Sequence, residues 1–188
     1  MFRPDRSLEQ RMILPTQHRR DFALDDGRSV RIRPLRATDR ATYELAVYSL
    51  SPRSRYLRFF TPMEKMSERM LDQMTQVDGH RHVAWLALTP DEGTGVGVVR
   101  YIRAADDPQS AEVAIAVADD WQGGGLGGEL LRQTIDHARL AELDLLTATT
   151  LRENSAAAGL LQATGFAAKG GSGMYRELEI RLKAQPTG

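Results

Sequence analysis

The stretch from Glu112 to Leu131, EVAIAVADDWQGGGLGGELL, decides how this chain is read. It begins as a run of small and β-branched apolar residues, the pattern of a buried strand. It breaks on glycines, and from Gly128 the apolar positions (Leu130, Leu131, Thr134, Ile135, Ala138) fall at helical spacing. A strand, a glycine turn and a helix N-terminus together predict an anion site. Glycine lets the backbone turn and approach a ligand without a Cβ in the way. The first helical N–H groups have no partner within the helix, and the helix dipole adds positive potential there. The expected ligand carries a phosphate or a diphosphate.

Three glycine motifs compete for this turn. A P-loop requires Gly-Lys-Ser/Thr at its end, and Gly128 is followed by Glu129. The dinucleotide pattern G-x-G-x-x-G is met by Gly123, Gly125 and Gly128. The residues that follow are too few for a full doubly wound sheet, however, and the next strand ends on Thr149-Thr150 rather than on an acid. The third pattern, Gln/Arg-x-x-Gly-x-Gly/Ala, is met by Gln122, Gly125 and Gly127 at a strand-to-helix junction. In this the chain resembles the GNAT family of N-acetyltransferases. The resemblance implies acetyl-CoA as co-substrate, its diphosphate on Gln122, Gly123, Gly124, Gly125, Leu126, Gly127 and Gly128. It also implies a pantetheine arm beside the preceding strand, bonded to backbone as far as Val117.

The remaining chain fits one domain. Its 188 residues can bury a core, and 41% apolar with 27% charged residues is ordinary globular composition. Formal neutrality argues against bulk attraction to nucleic acid or membrane. No cysteine is present, which excludes disulfides, thiolate metal sites and an acyl-cysteine intermediate. The four histidines (His18, His80, His82, His137) lack metal-ligand spacing, and His80 and His82 read as loop residues, so no metal is expected. No apolar run approaches spanning length and the N-terminus has no apolar leader, so a cytoplasmic location is the expectation. The expected partners are acetyl-CoA and an amine, with the chain a monomer or a homodimer.

Residues 1–20 are Arg-rich and aperiodic and read as a tail, as do 184–188, leaving 21–183 as the domain. Alternation around Asp26-Gly27 predicts a hairpin from Phe22 to Leu35. Helices are predicted over 36–50 (capped by Thr38 or Asp39, with Tyr43, Leu45, Ala46 and Leu50 apolar), 53–60 and 67–74. Strands are expected over 83–88, 96–102 and 143–151 beside the central one, and a helix from Asn154 to Ala163. A closing hairpin should follow around Gly170-Gly171-Ser172-Gly173. This order gives an α/β protein with a mixed, mostly antiparallel sheet and helices on both faces. It is also the element order of the GNAT fold over roughly residues 28–183.

Amine acetylation requires loss of a proton. An amine of pKa ≈ 10.4 is free in about one molecule in 2,500 at pH 7, a deficit of about 4.6 kcal/mol. A carboxylate that accepts the proton, directly or through one water, removes it. Glu112 is the only charge between Ala111 and Ala118, and period-two alternation puts it on one shallow face with Ala114, Ala116 and Ala118. Val113, Ile115 and Val117 then face the core. The resemblance gives Glu112 the place of the catalytic glutamate of the protein-lysine acetylating branch; a solvated strand-end carboxylate is the competing role. Asp119 and Asp120 are alternative bases, or simply the turn into Trp121. Asp106, Asp107, Glu112, Asp119 and Asp120 form an acidic run with no intervening Lys or Arg, either attracting a cationic amine or solubilising loops.

Asn154, in NSAAAGLLQATGF, matches the family's Asn…Gly-Phe motif, where the asparagine contacts the CoA arm; helix capping is its other role. Leu161 stands where family members often carry a tyrosine acid, leaving Tyr175 and Tyr101 as remote substitutes. Arg55-Tyr-Leu-Arg-Phe-Phe60 resembles the branch containing bacterial protein-lysine acetyltransferases, in which this segment borders the acceptor groove. Read without that resemblance, Tyr56, Leu57 and Phe60 are core and the arginines solvated. The expected activity is acetyl transfer to a primary amine, first a protein lysine, then a small amine or polyamine. A non-catalytic CoA- or nucleotide-sensing module and a dinucleotide-binding fragment are the other readings.

Overall fold

The computed structural model describes residues 19–183, so most of the N-terminal tail and all of 184–188 lie outside it. Eight strands form one sheet: β1 (Arg20–Ala23), β2 (Ser29–Pro34), β3 (His82–Leu88), β4 (Gly95–Arg103), β5 (Ser110–Val117), β6 (Leu145–Leu151), β7 (Ala167–Gly170) and β8 (Tyr175–Arg181). Their spatial order is β1-β2-β3-β4-β5-β6-β8-β7. Every pairing is antiparallel except β5 with β6. Arg20, expected in the tail, opens β1 opposite Ile32.

Among the described residues five α-helices cover the sheet: α1 (Arg40–Tyr48), α2 (Pro52–Phe59), α3 (Glu68–Thr75), α4 (Leu126–Leu140) and α5 (Ser155–Ala163). Serine oxygens cap two of them: Ser51 accepts from the Ser54 amide at the start of α2, and Ser67 from Met70 at the start of α3. The buried faces of α4 (Leu126, Leu130, Leu131, Ile135, Ala138) and α5 (Ala158, Leu161) pack on one side of the sheet. Tyr43 and Val47 of α1 and Leu71 of α3 pack on the other with Leu86, Leu88 and Val98. The mixed, mostly antiparallel sheet with helices on both faces is therefore the observed architecture.

Details of the helices differ from the sequence pattern for identifiable reasons. The buried stripe of α1 is Tyr43 and Val47, at i and i+4, continued past its end by Leu50, and Leu45 is 67% exposed because two residues turn it to the opposite side. Helix α4 begins at Leu126, two residues before the expected start. Gly127 and Gly128 are helical, and the turn itself is made at Gly125, whose φ of 86° only glycine adopts freely. His82 is not a loop residue but the first residue of β3, 8% exposed.

One parallel pairing shapes the functional region. The β5–β6 register runs only from Ser110↔Leu145 to Glu112↔Thr147. Beyond it β5 continues against β4 to Val117, and β6 continues against β8 to Leu151. The two strands therefore diverge from Glu112 onward, and their facing edges have no strand between them.

Candidate active site

The wedge between the diverging strands is a cavity of ≈ 430 Å³. Its walls are the β5 residues Glu112 to Val117, Ala148, Thr149 and Thr150 of β6, the glycine turn, and facing parts of α2 and α5. Glu112 sits at the narrow end, where pairing stops, and its side chain is exposed. The glycine turn lies past the far end of β5. Glu112 and Val117 are five residue steps apart, so the strand edge along the wedge is about 17 Å long.

The turn leaves helix-start amides without intrahelical partners. Gly123 and Gly125 have φ of 81° and 86°, and the first i→i−4 bond of α4 is Glu129 N–H to the Gly125 carbonyl, 3.1 Å. The amides of Leu126, Gly127 and Gly128 precede it and have no intrahelical acceptor. Gly127 also lets two helices meet: a Cβ there would lie 2.8 Å from Leu160 Cδ2 of α5. Arg132, one helical turn on, brings Nη1 within 3.3 Å of where a Gly128 Cβ would sit. Arg132 also donates to Glu129, which ion-pairs with Arg20 as well, so the acid in the first turn is neutralised. The arginine escaped sequence reading, although its i+4 spacing from Gly128 was the available signal.

The expected cofactor residues divide. Val117, Gln122, Gly123, Gly125, Gly127, Gly128 and Asn154 line the cavity. Gln122 donates through Nε2 to the Val117 carbonyl, 3.0 Å, closing the turn onto the strand end. Gly124 and Leu126 do not line it: Gly124 is packed under Leu24 and accepts from the Asp25 amide, and the Leu126 side chain is 1% exposed in the core. Asn154 Oδ1 accepts from Ala157 N–H, 3.1 Å, so it caps α5 from within the cavity wall. The side chains of Val113, Ile115 and Val117 pack on the α4 side of the sheet, as the alternation predicted.

The acidic run does not act as one patch. Asp106 and Asp107 precede β5, and Asp119 and Asp120 follow it. Asp107 is occupied by the Gln109 amide and the Ser110 hydroxyl. Asp119 accepts from Ser51 N, 2.9 Å, Ser51 Oγ, 3.0 Å, and Ser54 Oγ, 2.6 Å, which pins the start of α2 to the end of β5. Burial works against its charge, but those bonds hold its carboxyl below the ordinary range. Of the five acids only Glu112 lines the cavity.

The tyrosines sort equally clearly. Tyr101 is fully buried outside the cavity, its hydroxyl 3.0 Å from His137 Nδ1, and burial pushes it up to about 12. Tyr175 stacks edge-on against Phe60, ring centroids 5.6 Å apart, and Phe60 lines the cavity. Leu161 is a core residue that touches the cavity wall. Leu57 and Arg58 of α2, and Phe60 at its C-cap, face the cavity rather than the core or bulk solvent, because the helix lies over the open wedge. The Thr150 hydroxyl, in a residue 5% exposed, is buried in the same wall without a hydrogen-bond partner.

The candidate site is thus a sheet opened at a parallel pair, with a glycine-built helix N-terminus at its wide end and Glu112 at its narrow end. Residues 29–167 match the family described as Acetyltransferase (GNAT) domain, and the chain belongs to that family. It is similar to Acetyltransferase PA5475 of Pseudomonas aeruginosa, 37% identical over 146 residues, which cover 77% of this chain and 78% of that protein. It is similar also to Acetyltransferase Pat of Mycolicibacterium smegmatis, 28% identical over 108 residues. That match takes in 57% of this chain but spans about a third (32%) of that relative. Among solved structures, the GNAT domain of S. lividans PAT superposes with a TM-score of 0.82 at 27% identity, covering 87% of this chain and 97% of that one. GNAT acetyltransferases use acetyl-CoA as acyl donor.

Proposed function

We propose that this protein transfers the acetyl group of acetyl-CoA to a primary amine, first of all a protein lysine, by direct attack in a ternary complex. The supporting observation is the placement of Glu112 alone among the acids at the narrow end of a wedge whose wide end is lined by Gly127 and Gly128, in the first turn of α4, where amides have no intrahelical acceptor. The diphosphate lies on those amides, with Gln122 and Asn154 beside it. The pantetheine amides bond to the open edge of β5 up to Val117. The amine nitrogen attacks the thioester carbon and its proton passes to Glu112, directly or through a water. Collapse of the tetrahedral intermediate breaks the C–S bond, and the thiolate takes a proton from water, since Leu161 supplies no acid and Tyr101 is shut away. Similarity to proteins named Pat supports a protein acceptor over a small amine.

The test is incubation of the purified protein with isotope-labelled acetyl-CoA and cell protein, read by mass spectrometry. Labelled ε-acetyl-lysine is the expected product. Labelled small amines with unlabelled protein would move the acceptor to the small-molecule class. Tight acetyl-CoA binding with no release of free CoA to any amine would leave only a sensing role.

A further inference from the structure

The wall that carries Glu112 also carries a positive charge that, among the described residues, makes no ion pair. Arg58 of α2 lines the cavity half-buried. Among the described residues it has no hydrogen-bond acceptor and no ion-pair partner; its contact is with the Phe59 ring, 4.9 Å from Cζ to centroid. The other arginines of the same helix are satisfied. Arg53 pairs with Glu153 at 2.9 Å. Arg55 donates to the carbonyls of Tyr48, Leu50 and Met63 at 3.1, 2.6 and 3.1 Å. Arg58 alone of the three faces the cavity with its donors unused.

A second guanidinium lies close by. Arg100 of β4 is 2% exposed and donates through Nη1 to the Met74 carbonyl, 2.8 Å, with His82 Nε2 at 3.1 Å. Its Nε and Nη2 are buried with no partner, over the Tyr43 ring. Burial brings Arg100 down to about 10, and the Arg58 charge pushes the same way. Burial lowers Arg58 too, while Tyr43 and Glu112 favour its charge. Arg58 on the cavity wall thus has the single carboxylate of Glu112 to favour its charge and the buried cation of Arg100 behind the wall to oppose further positive charge.

A half-buried guanidinium without an acceptor is unfavourable unless something arrives to meet it. Its planar fork matches a carboxylate, which takes two parallel N–H bonds. A lone amine cannot supply that. We propose that the acceptor carries a carboxylate beside its reacting amine, bound by Arg58 while Glu112 takes the amine. Arg58 is then a specificity-determining residue. The carboxylate has two sources: the α-carboxylate of a free amino acid, or an acidic side chain next to a lysine in a protein. The inference rests on the acetyl-transfer reading above and narrows its acceptor.

The experiment measures CoA release by the full chain at saturating acetyl-CoA with two matched pairs of acceptors. One is an amino acid against its carboxamide, the other a Lys-Glu peptide against its Lys-Gln counterpart. A charged hydrogen bond in a partly buried site predicts about a 10- to 100-fold preference in kcat/KM for the carboxylate member of one pair. The pair that shows it names the source. In Arg58→Gln the preference falls to within about twofold while the KM for acetyl-CoA holds; Arg58→Lys restores part of it. The wild-type comparison stands even if a variant unfolds. No preference in either pair overturns the proposal, as does a preference that survives Arg58→Gln. So does an equal loss with all acceptors accompanied by a raised KM for acetyl-CoA, which would make Arg58 a cofactor ligand. Amines accepted without regard to carboxylate leave acetyl transfer intact; no release with any amine removes both readings.

Discussion

Replacing Glu112 with glutamine removes a proton acceptor and keeps the shape. Because Glu112 is solvent-exposed, Glu112→Gln should fold like the wild type, with its melting temperature within about 1 °C. No other acid can substitute: Asp119 is bound to Ser51 and Ser54 beyond the far end of β5, and Asp106 and Asp107 lie outside the cavity. General base catalysis is worth about 10²–10⁴-fold. Water reaches the carboxylate here, so the lower part of that range, about 10²–10³-fold in kcat at pH 7, is expected. The sharper test is pH. Without a base the rate follows the free amine, which rises about 300-fold between pH 7 and 9.5 for a pKa near 10.4. The wild-type rate should change much less, so the ratio of wild type to variant should shrink toward about 10 or below. Thiol release at saturating acetyl-CoA with a lysine peptide measures it. A ratio that stays constant across this interval would refute the assignment, leaving Glu112 a positioning or electrostatic role.

Three further outcomes are expected. Gly127→Val places methyl groups where a Cβ already lies 2.8 Å from Leu160 Cδ2, so α4 and α5 must part or Leu160 must enter the cavity. Overpacking of about 1–3 kcal/mol should appear mainly as a raised KM for acetyl-CoA in steady-state assays, and an unchanged KM would speak against diphosphate binding at this turn. Asp39→Asn breaks a buried bidentate pair with Arg33, at 2.7 and 2.9 Å, and should cost about 3 kcal/mol by urea unfolding at pH 7. Burial opposes the Asp39 charge, but Arg33 and the Arg36 amide hold the carboxyl below its ordinary value. The pair therefore contributes fully above the unfolded carboxylate pKa and is lost as the pH falls through the depressed one; the variant should lack that acid-side slope. His82 is brought down to about 4 by burial and then by the charge of Arg100, so folding favours the neutral ring. Its contribution is complete above about pH 6.5 and declines toward pH 4 by about 3 kcal/mol. His82→Gln should flatten urea midpoints over that interval, and an unchanged slope would show that other groups set it.

Local chemistry made much of this protein legible. Period-two alternation separated Glu112 from Val113, Ile115 and Val117, and the helix starts expected at 53 and 67 lie within a residue of those of α2 and α3. The glycine motif marked the turn between β5 and α4, although its many glycines hid where α4 starts, because Gly127 lies inside the helix, where a neighbouring helix leaves no room for a Cβ. What escaped was set by distant partners. The binding of Asp119 to α2, the pairing of Arg33 with Asp39 and the burial of Arg100 depend on which strands lie side by side, which no window of sequence encodes. The orientation of Leu57, Arg58 and Phe60 was ambiguous for the same reason. An apolar residue over a closed sheet is core; over a gap it becomes part of a binding wall.

The early end of the β5–β6 ladder has an evolutionary corollary. If the donor is held as proposed, through peptide groups, the grip is indifferent to the identity of the side chains that project from them, so mutations there drift without loosening it. Selection can then reshape the residues above the gap, such as Leu57, Arg58 and Phe60, to suit a new nucleophile while the acyl carrier stays the same. Such a scaffold changes clients without changing its currency.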